Sequence, residues 1–149
     1  MPSESRFPYR LQSAFFITLH FERKPEVPVP LQLTFGIYLK VVDEKFPDNL
    51  QINLKVETTG DDPPVKLVVE TVGLFALIEN LPKPNKDIIT PFLNERALFI
   101  LWPYLSQIVR QMTALMGIQA IDILMPNILD TPSAPQEDVP QQNVNRVDA

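Results

Sequence analysis

Chemistry-bearing side chains are few in this sequence. His20 is the single histidine and there is no cysteine, which excludes thiol nucleophiles, disulfide scaffolds and zinc sites built on thiolates or clustered imidazoles. His20 lies between Thr18 and Glu22, and Glu22 is placed to orient an imidazole acting as a general base. A base also needs a nucleophile within reach, and no nucleophile signature is present, so the plainer reading is a half-exposed histidine on a strand. Asp61 and Asp62 are adjacent acids, but between Gly60 and Pro63 they read as a solvated turn, not a metal or acid–base site. The glycines Gly36, Gly60, Gly73 and Gly117 are too far apart for a P-loop or a dinucleotide fingerprint. No catalytic set, metal or cofactor is expected. The remaining chemistry is apolar: Phe92, Phe99, Trp102 and Tyr104 crowd one segment, and Ala97 to Trp102 is apolar on every side of a helix.

The elements that must position these residues follow from pattern. At 149 residues and 17.0 kDa the chain is about one domain long. With 45% apolar and 21% charged residues it has the composition of an ordinary folded domain. A net charge of −5 and a pI near 4.8 argue against a nucleic-acid partner. The first residues lack a basic stretch followed by an apolar one. The most apolar run, Ala97 to Leu105, is far short of the roughly 20 residues that cross a bilayer. A cytoplasmic protein with no membrane insertion is the expectation.

Residues 1–10, with Pro2 and Pro8, read as a flexible arm. Leu11 to Glu22 alternates, with Leu11, Phe15, Ile17, Leu19 and Phe21 on one face, as in a half-buried strand. Arg23 to Pro30 holds three prolines and reads as a stiff connection. Strands follow over Leu31 to Val42 and Leu50 to Glu57, joined by short links that imply antiparallel hairpins. A fourth, Val65 to Ile78, is apolar on both faces from Val72 onwards and so must be covered on both. From about Lys86 to Met116 a helical stripe of Leu101, Leu105, Ile108, Met112 and Leu115 recurs at steps of three and four, with Gly117 as its cap. Pro91 and Pro103 imply two pieces or a kink. The tail, residues 130–149, carries three prolines and four acids against Arg146, and reads as disordered.

The stretch Gly73-Leu74-Phe75-Ala76-Leu77-Ile78, then Phe99-Ile100-Leu101-Trp102-Pro103-Tyr104, then Gly117 with Ile121-Asp122-Ile123-Leu124-Met125-Pro126 resembles the SecB family of export chaperones. The first strand, closing on Phe21-Glu22, is similar as well, and the likeness spans residues 11–129. The resemblance implies an α+β fold, a four-stranded antiparallel Greek-key sheet packed on a long kinked helix. It further implies a homotetramer, a dimer of dimers, that holds unfolded or precursor polypeptides in apolar grooves without ATP and passes them to SecA. On this pattern client binding falls to Leu74, Phe75, Leu77, Phe99, Trp102 and Tyr104. Val72, Leu98, Leu101 and Leu105 form the oligomer interface, and Glu22 is the partner-docking acid.

Two departures qualify these implications. The family's SecA-docking face carries further acids, where Thr18 and Val68 stand here, so weak or absent SecA docking is expected. The crossover from Arg23 to Pro30 is short and contains no aromatic residue. A dedicated chaperone of a single client such as an antitoxin fits the same features. So do two readings of other classes, an oligomeric adaptor that consumes its apolar surface in self-association and a binder of a small apolar ligand.

Overall fold

The computed structural model describes residues 7–126 and 141–147. Five antiparallel strands form one sheet in the order β1-β4-β3-β2-β5: β1 (Tyr9–Arg23), β2 (Leu31–Lys45), β3 (Asn49–Thr58), β4 (Val65–Leu77) and β5 (Gln141–Val147). β2, β3 and β4 are a meander, and β1 returns beside β4, which is the Greek-key arrangement. Between β4 and β5 the chain runs through a 3₁₀ turn at Lys86–Ile88, a helical turn α1 (Ile89–Phe92), a π-helical turn at Leu93–Ala97 and the long helix α2 (Leu98–Leu115).

One face of the sheet is the core face. β3 shows why most simply: Leu50, Ile52, Leu54 and Val56 alternate and are all buried. β2 supplies Leu33, Phe35 and Ile37 in the same way, and β4 supplies Val65, Leu67, Val69 and Phe75. α2 lies across this face with Leu98, Leu101, Trp102, Leu105 and Val109 turned inward. The helix stripe is therefore rotated from the sequence expectation, and Leu115 is 74% exposed. Phe92 sits between Phe7, Tyr9 and Phe75, with ring centroids 5.1 to 5.7 Å away. Phe7 and Tyr9 are thus part of the core, which corrects the expectation of a loose arm over residues 7–10; residues 1–6 lie outside the described residues.

The helix stays in helical dihedrals through both predicted interruptions. Near Pro91 it widens into the π turn, entered and left at Leu93 and Leu98 with φ near −57° and −59°. Pro103 lies inside α2 on its exposed side, where the amide it lacks is least costly because water reaches the freed carbonyl one turn earlier.

The second apolar face expected of β4 beyond Val72 is only partly present. Phe75 faces the helix, whereas Val72 is buried on the opposite face outside the main core cluster. There it stands between Phe15 of β1 and Asn53 of β3. The tail also differs from expectation. Gln141–Val147 pair with Leu31–Ile37 as β5; the rest of the expected disordered tail, residues 130–140 and 148–149, lies outside the described residues.

Gly73 sets the spacing between sheet and helix. A Cβ there would sit 2.7 Å from Leu101 Cδ2 and 2.8 Å from Phe75 Cε1, both on fully buried side chains that cannot retreat. Gly73→Val is expected to destabilise the fold by about 1–3 kcal/mol through overpacking. Thermal unfolding checks this: each kcal/mol lost should lower the Tm by roughly 2–4 °C in a chain of this size.

Candidate functional site

The two β-bulges of β1 decide what this strand exposes. Its register against β4 shifts between Leu11 and Ser13 and again between Phe16 and Thr18. Each bulge inserts one residue and exchanges the faces. Leu11, Ala14, Phe16 and Phe21 consequently pack on the core, and the uninterrupted stripe expected from the sequence does not exist. Phe15, Ile17 and Leu19 are left 43, 53 and 49% exposed. β1 is also an edge strand, so these exposed side chains border open backbone pairing groups.

A second apolar surface runs along the outside of α2. Phe99 is 54% exposed and Tyr104 43%. Ile100 and Ile108, each four residues from Tyr104, are half-buried beside it. These residues stand out because the inward face of the helix is already occupied, so the excess apolar character of Ala97 to Trp102 has to appear on the other side.

The predicted site residues divide accordingly. Phe99 and Tyr104 are presented to solvent, and Leu74 and Leu77 are half-buried at the end of β4. Phe75 and Trp102 are core residues, which corrects their assignment to a client surface: their side chains fill the contact between sheet and helix. Leu98, Leu101 and Leu105 are buried in the same contact and Val72 within the sheet, so none of the four is open to another subunit. The exposure of Phe15 and Ile17 was missed because alternation alone places them on the buried face and nothing in the sequence marks the bulges; Leu19, opposite Val69, keeps the core face and is nevertheless half exposed at the sheet edge.

The polar candidates are local structure. Nε2 of His20 lies 2.8 Å from Oε1 of Glu22, and both side chains are exposed. Glu22 stands opposite Lys66, His20 opposite Val68 and Thr18 opposite Glu70. Glu70 in turn accepts a 2.6 Å hydrogen bond from Asn53 Nδ2. The acidic character of this face is thus offset by Lys66 and drawn into side-chain bonding. Asp62 is bonded to Lys24 and has positive φ, as a turn residue. A cavity of about 370 Å³ on the open sheet face is lined by Tyr38, Lys40, Asn53, Lys55, Glu57 and Glu70, a polar lining unsuited to an apolar ligand.

The end of α2 is tied down from several sides. Gly117, at φ 78°, lets the Ile118 amide reach the Thr113 carbonyl and its own amide reach that of Ala114, the paired bonds of a Schellman cap. Arg23, closing β1, donates from Nη1 to the Met116 carbonyl at 2.9 Å. The buried Thr113 hydroxyl donates to the Val109 carbonyl at 2.7 Å and accepts the Ile121 amide at 3.0 Å. These bonds seat Ile121 and Ile123 in the core and leave Leu124 exposed. Arg110 and Asp122 pair on the outside of this turn.

No protein-family model matches the sequence, and no curated protein matches it. Among solved structures, the chain superimposes on the Mycobacterium tuberculosis SecB-like chaperone Rv1957, solved in complex with a ChAD peptide from the Rv1956 HigA1 antitoxin. The TM-score is 0.61 over 81% of this chain and 93% of that one, at 12% sequence identity. The fold is SecB-like. The resemblance carried by Gly73 to Ile78 and Phe99 to Tyr104 therefore holds at the level of architecture. A Streptococcus agalactiae protein of unknown function aligns at TM-score 0.45 and 9% identity over 78% of this chain and 96% of that one, too distant a likeness to bear on function. No described helix is long and apolar enough to cross a membrane.

Thr113→Val keeps the shape of the side chain but leaves the buried Ile121 amide without its acceptor. A loss of about 1–3 kcal/mol is expected. Denaturant unfolding measures it, and the Ile121 amide should exchange with solvent faster than in the parent.

Proposed function

We propose that this protein is an ATP-independent chaperone that holds extended, unfolded polypeptides on the outer flank of α2. The observation that carries this reading is the exposure of Phe99 and Tyr104 on a helix whose inner face is already committed to its own sheet. An unfolded chain presents scattered apolar side chains; a solvent-facing aromatic flank covers them without reading sequence, and many weak contacts along one client sum to useful avidity. Leu77, packed against the core at the end of β4, lies on the helix side of the sheet, whereas Leu74 shares the face of Val72 and stands apart from this flank. A client that folds hides the same side chains and is released, so no nucleotide is required. The net charge of −5 keeps a loaded complex soluble and favours basic clients.

The SecB-like fold supports this reading, and the antitoxin peptide held by the Mycobacterium protein favours a dedicated client of that kind over general export. Delivery to SecA is weak or absent in this proposal, because Glu22 faces Lys66 where an acidic docking surface would be needed. The active form is a cytoplasmic homotetramer of roughly 68 kDa, four times the chain mass. Its self-association uses the exposed Phe15 and Ile17 of the edge strand β1, not the buried leucines of α2.

Dilution of a denatured client with and without the protein, in the absence of nucleotide, tests the holding activity by light scattering. The parent is expected to suppress aggregation, and Phe99→Ser with Tyr104→Ser to lose most of that effect. Each exposed change should alter stability by no more than about 0.5 kcal/mol. Equal aggregation with and without the parent, across several clients including an antitoxin, would defeat the proposal. Assembly is read separately: Ile17→Lys is expected to lower the mass seen by light scattering, and an unchanged oligomer would place the interface elsewhere.

A further inference from the structure

The two edges of the sheet differ in kind. At the β1 edge two bulges interrupt the ladder, and an irregular edge is a poor template for an added strand. At the other edge β2 pairs with β5 in unbroken register from Leu31↔Val147 to Ile37↔Gln141. The ladder of β2 with β3 begins only at Phe35, so Leu31, Gln32 and Leu33 have β5 as their ladder partner. Leu31, Leu33, Phe35 and Ile37 are all buried in the core, which anchors β2 to the rest of the fold through its side chains.

The occupant of that edge is a poor strand by its own sequence. Gln141-Gln142-Asn143-Val144-Asn145-Arg146-Val147 is polar at five of seven positions, and asparagine is depleted in strands. Its two valines stand three apart, so it lacks a period of two. What places it as a strand is the backbone of β2, and backbone pairing is indifferent to side chains. A segment with alternating β-branched or apolar residues would make the same backbone bonds and add favourable cross-strand pairs.

We propose that the outer edge of β2, Leu31–Ile37, is a strand-addition site for an extended polypeptide client, and that β5 is its resident, displaceable occupant. This rests on the reading of the protein as a holder of extended chains and gives that activity a second, backbone-reading site, closed in the free protein by its own tail. The orientation of β2 identifies the reporters. The Thr59 amide donates to the Thr34 carbonyl at 2.9 Å, so the Thr34 backbone faces β3, and the backbone groups of Leu33 and Phe35, one step either side, face β5.

Asn145→Pro in the full chain removes the amide opposite Leu33, which faces β2, and fixes φ, which evicts β5 without touching the core. The probe is a fluorescein-labelled peptide of alternating threonine and valine, followed by anisotropy and by amide exchange at Leu33 and Phe35. In the variant these two amides should exchange at least about ten times faster. The peptide should bind roughly 5–10-fold tighter than to the parent, since the competing occupant no longer closes the site, and should restore protection at both amides. Unchanged exchange at Leu33 and Phe35 in the variant, equal peptide affinity for variant and parent, or peptide binding without restored protection would each overturn the proposal. The client-aggregation assay separates this from the chaperone reading. Suppression with β2 amides untouched overturns the β2 site alone, and restored β2 protection without suppression supports the site while overturning the chaperone reading.

Discussion

The contact between α2 and β4 at Gly73 governs the rest of the molecule. Because no side chain intervenes there, Leu101 reaches the sheet, and the helix is drawn close enough for Leu98, Trp102, Leu105 and Val109 to share one core with Phe35, Ile52, Leu54 and Phe75. Once that face of the helix is spent, the remaining apolar residues of the same segment have nowhere to go but outward. The exposure of Phe99 and Tyr104 is therefore a consequence of the close approach, not an independent feature. The bonds made by Arg23 and Thr113 at the far end of α2 fix the same helix in rotation, so its outer flank is held rigid.

The sheet adds a second consequence. A helix of this length covers its central strands and leaves both edges unguarded. The two edges are handled differently: β1 is made irregular by bulges, which also turn Phe15 and Ile17 away from the core, while β2 is capped by a strand from the chain's own tail. Exposed apolar residues on an edge strand, an aromatic helix flank and a backbone edge covered by the chain's own strand are the three features on which the proposed engagement of other polypeptides rests. None of them needs a bound metal or a nucleophile, in keeping with a sequence whose one histidine serves only a surface pair with Glu22.

Much of the architecture is legible in the residues. Strict alternation over Leu50 to Val56 places β3 and its core face, the apolar steps after Leu98 place the helix, and Gly117 marks its end. The motifs around Gly73 and Trp102 point to the SecB-like fold that the superposition supports. The site is less legible, for identifiable reasons. Whether an aromatic residue faces a core or a client depends on how far the helix is rotated, and Trp102 and Phe99, three positions apart, lie only about 60° from one another around it. Bulges leave no mark on composition, so Phe15 and Ile17 look like buried residues. β5 has no strand period at all, since it is selected by its partner, and an arm containing Phe7 and Tyr9 looks loose until Phe92 is seen to receive both.

The account stands or falls on which surface touches an unfolded chain. A photoreactive phenylalanine analogue placed at Phe99 nearly preserves the native side chain, and the same analogue at Lys55 samples the polar open face of the sheet. Irradiation with a denatured client should give abundant crosslinks from position 99 and few from position 55, with the signal at 99 disappearing when the client is folded beforehand. Equal crosslinking from the two positions, or crosslinking at 99 that is indifferent to whether the client is folded, would contradict the claim that the outer flank of α2 holds extended polypeptides.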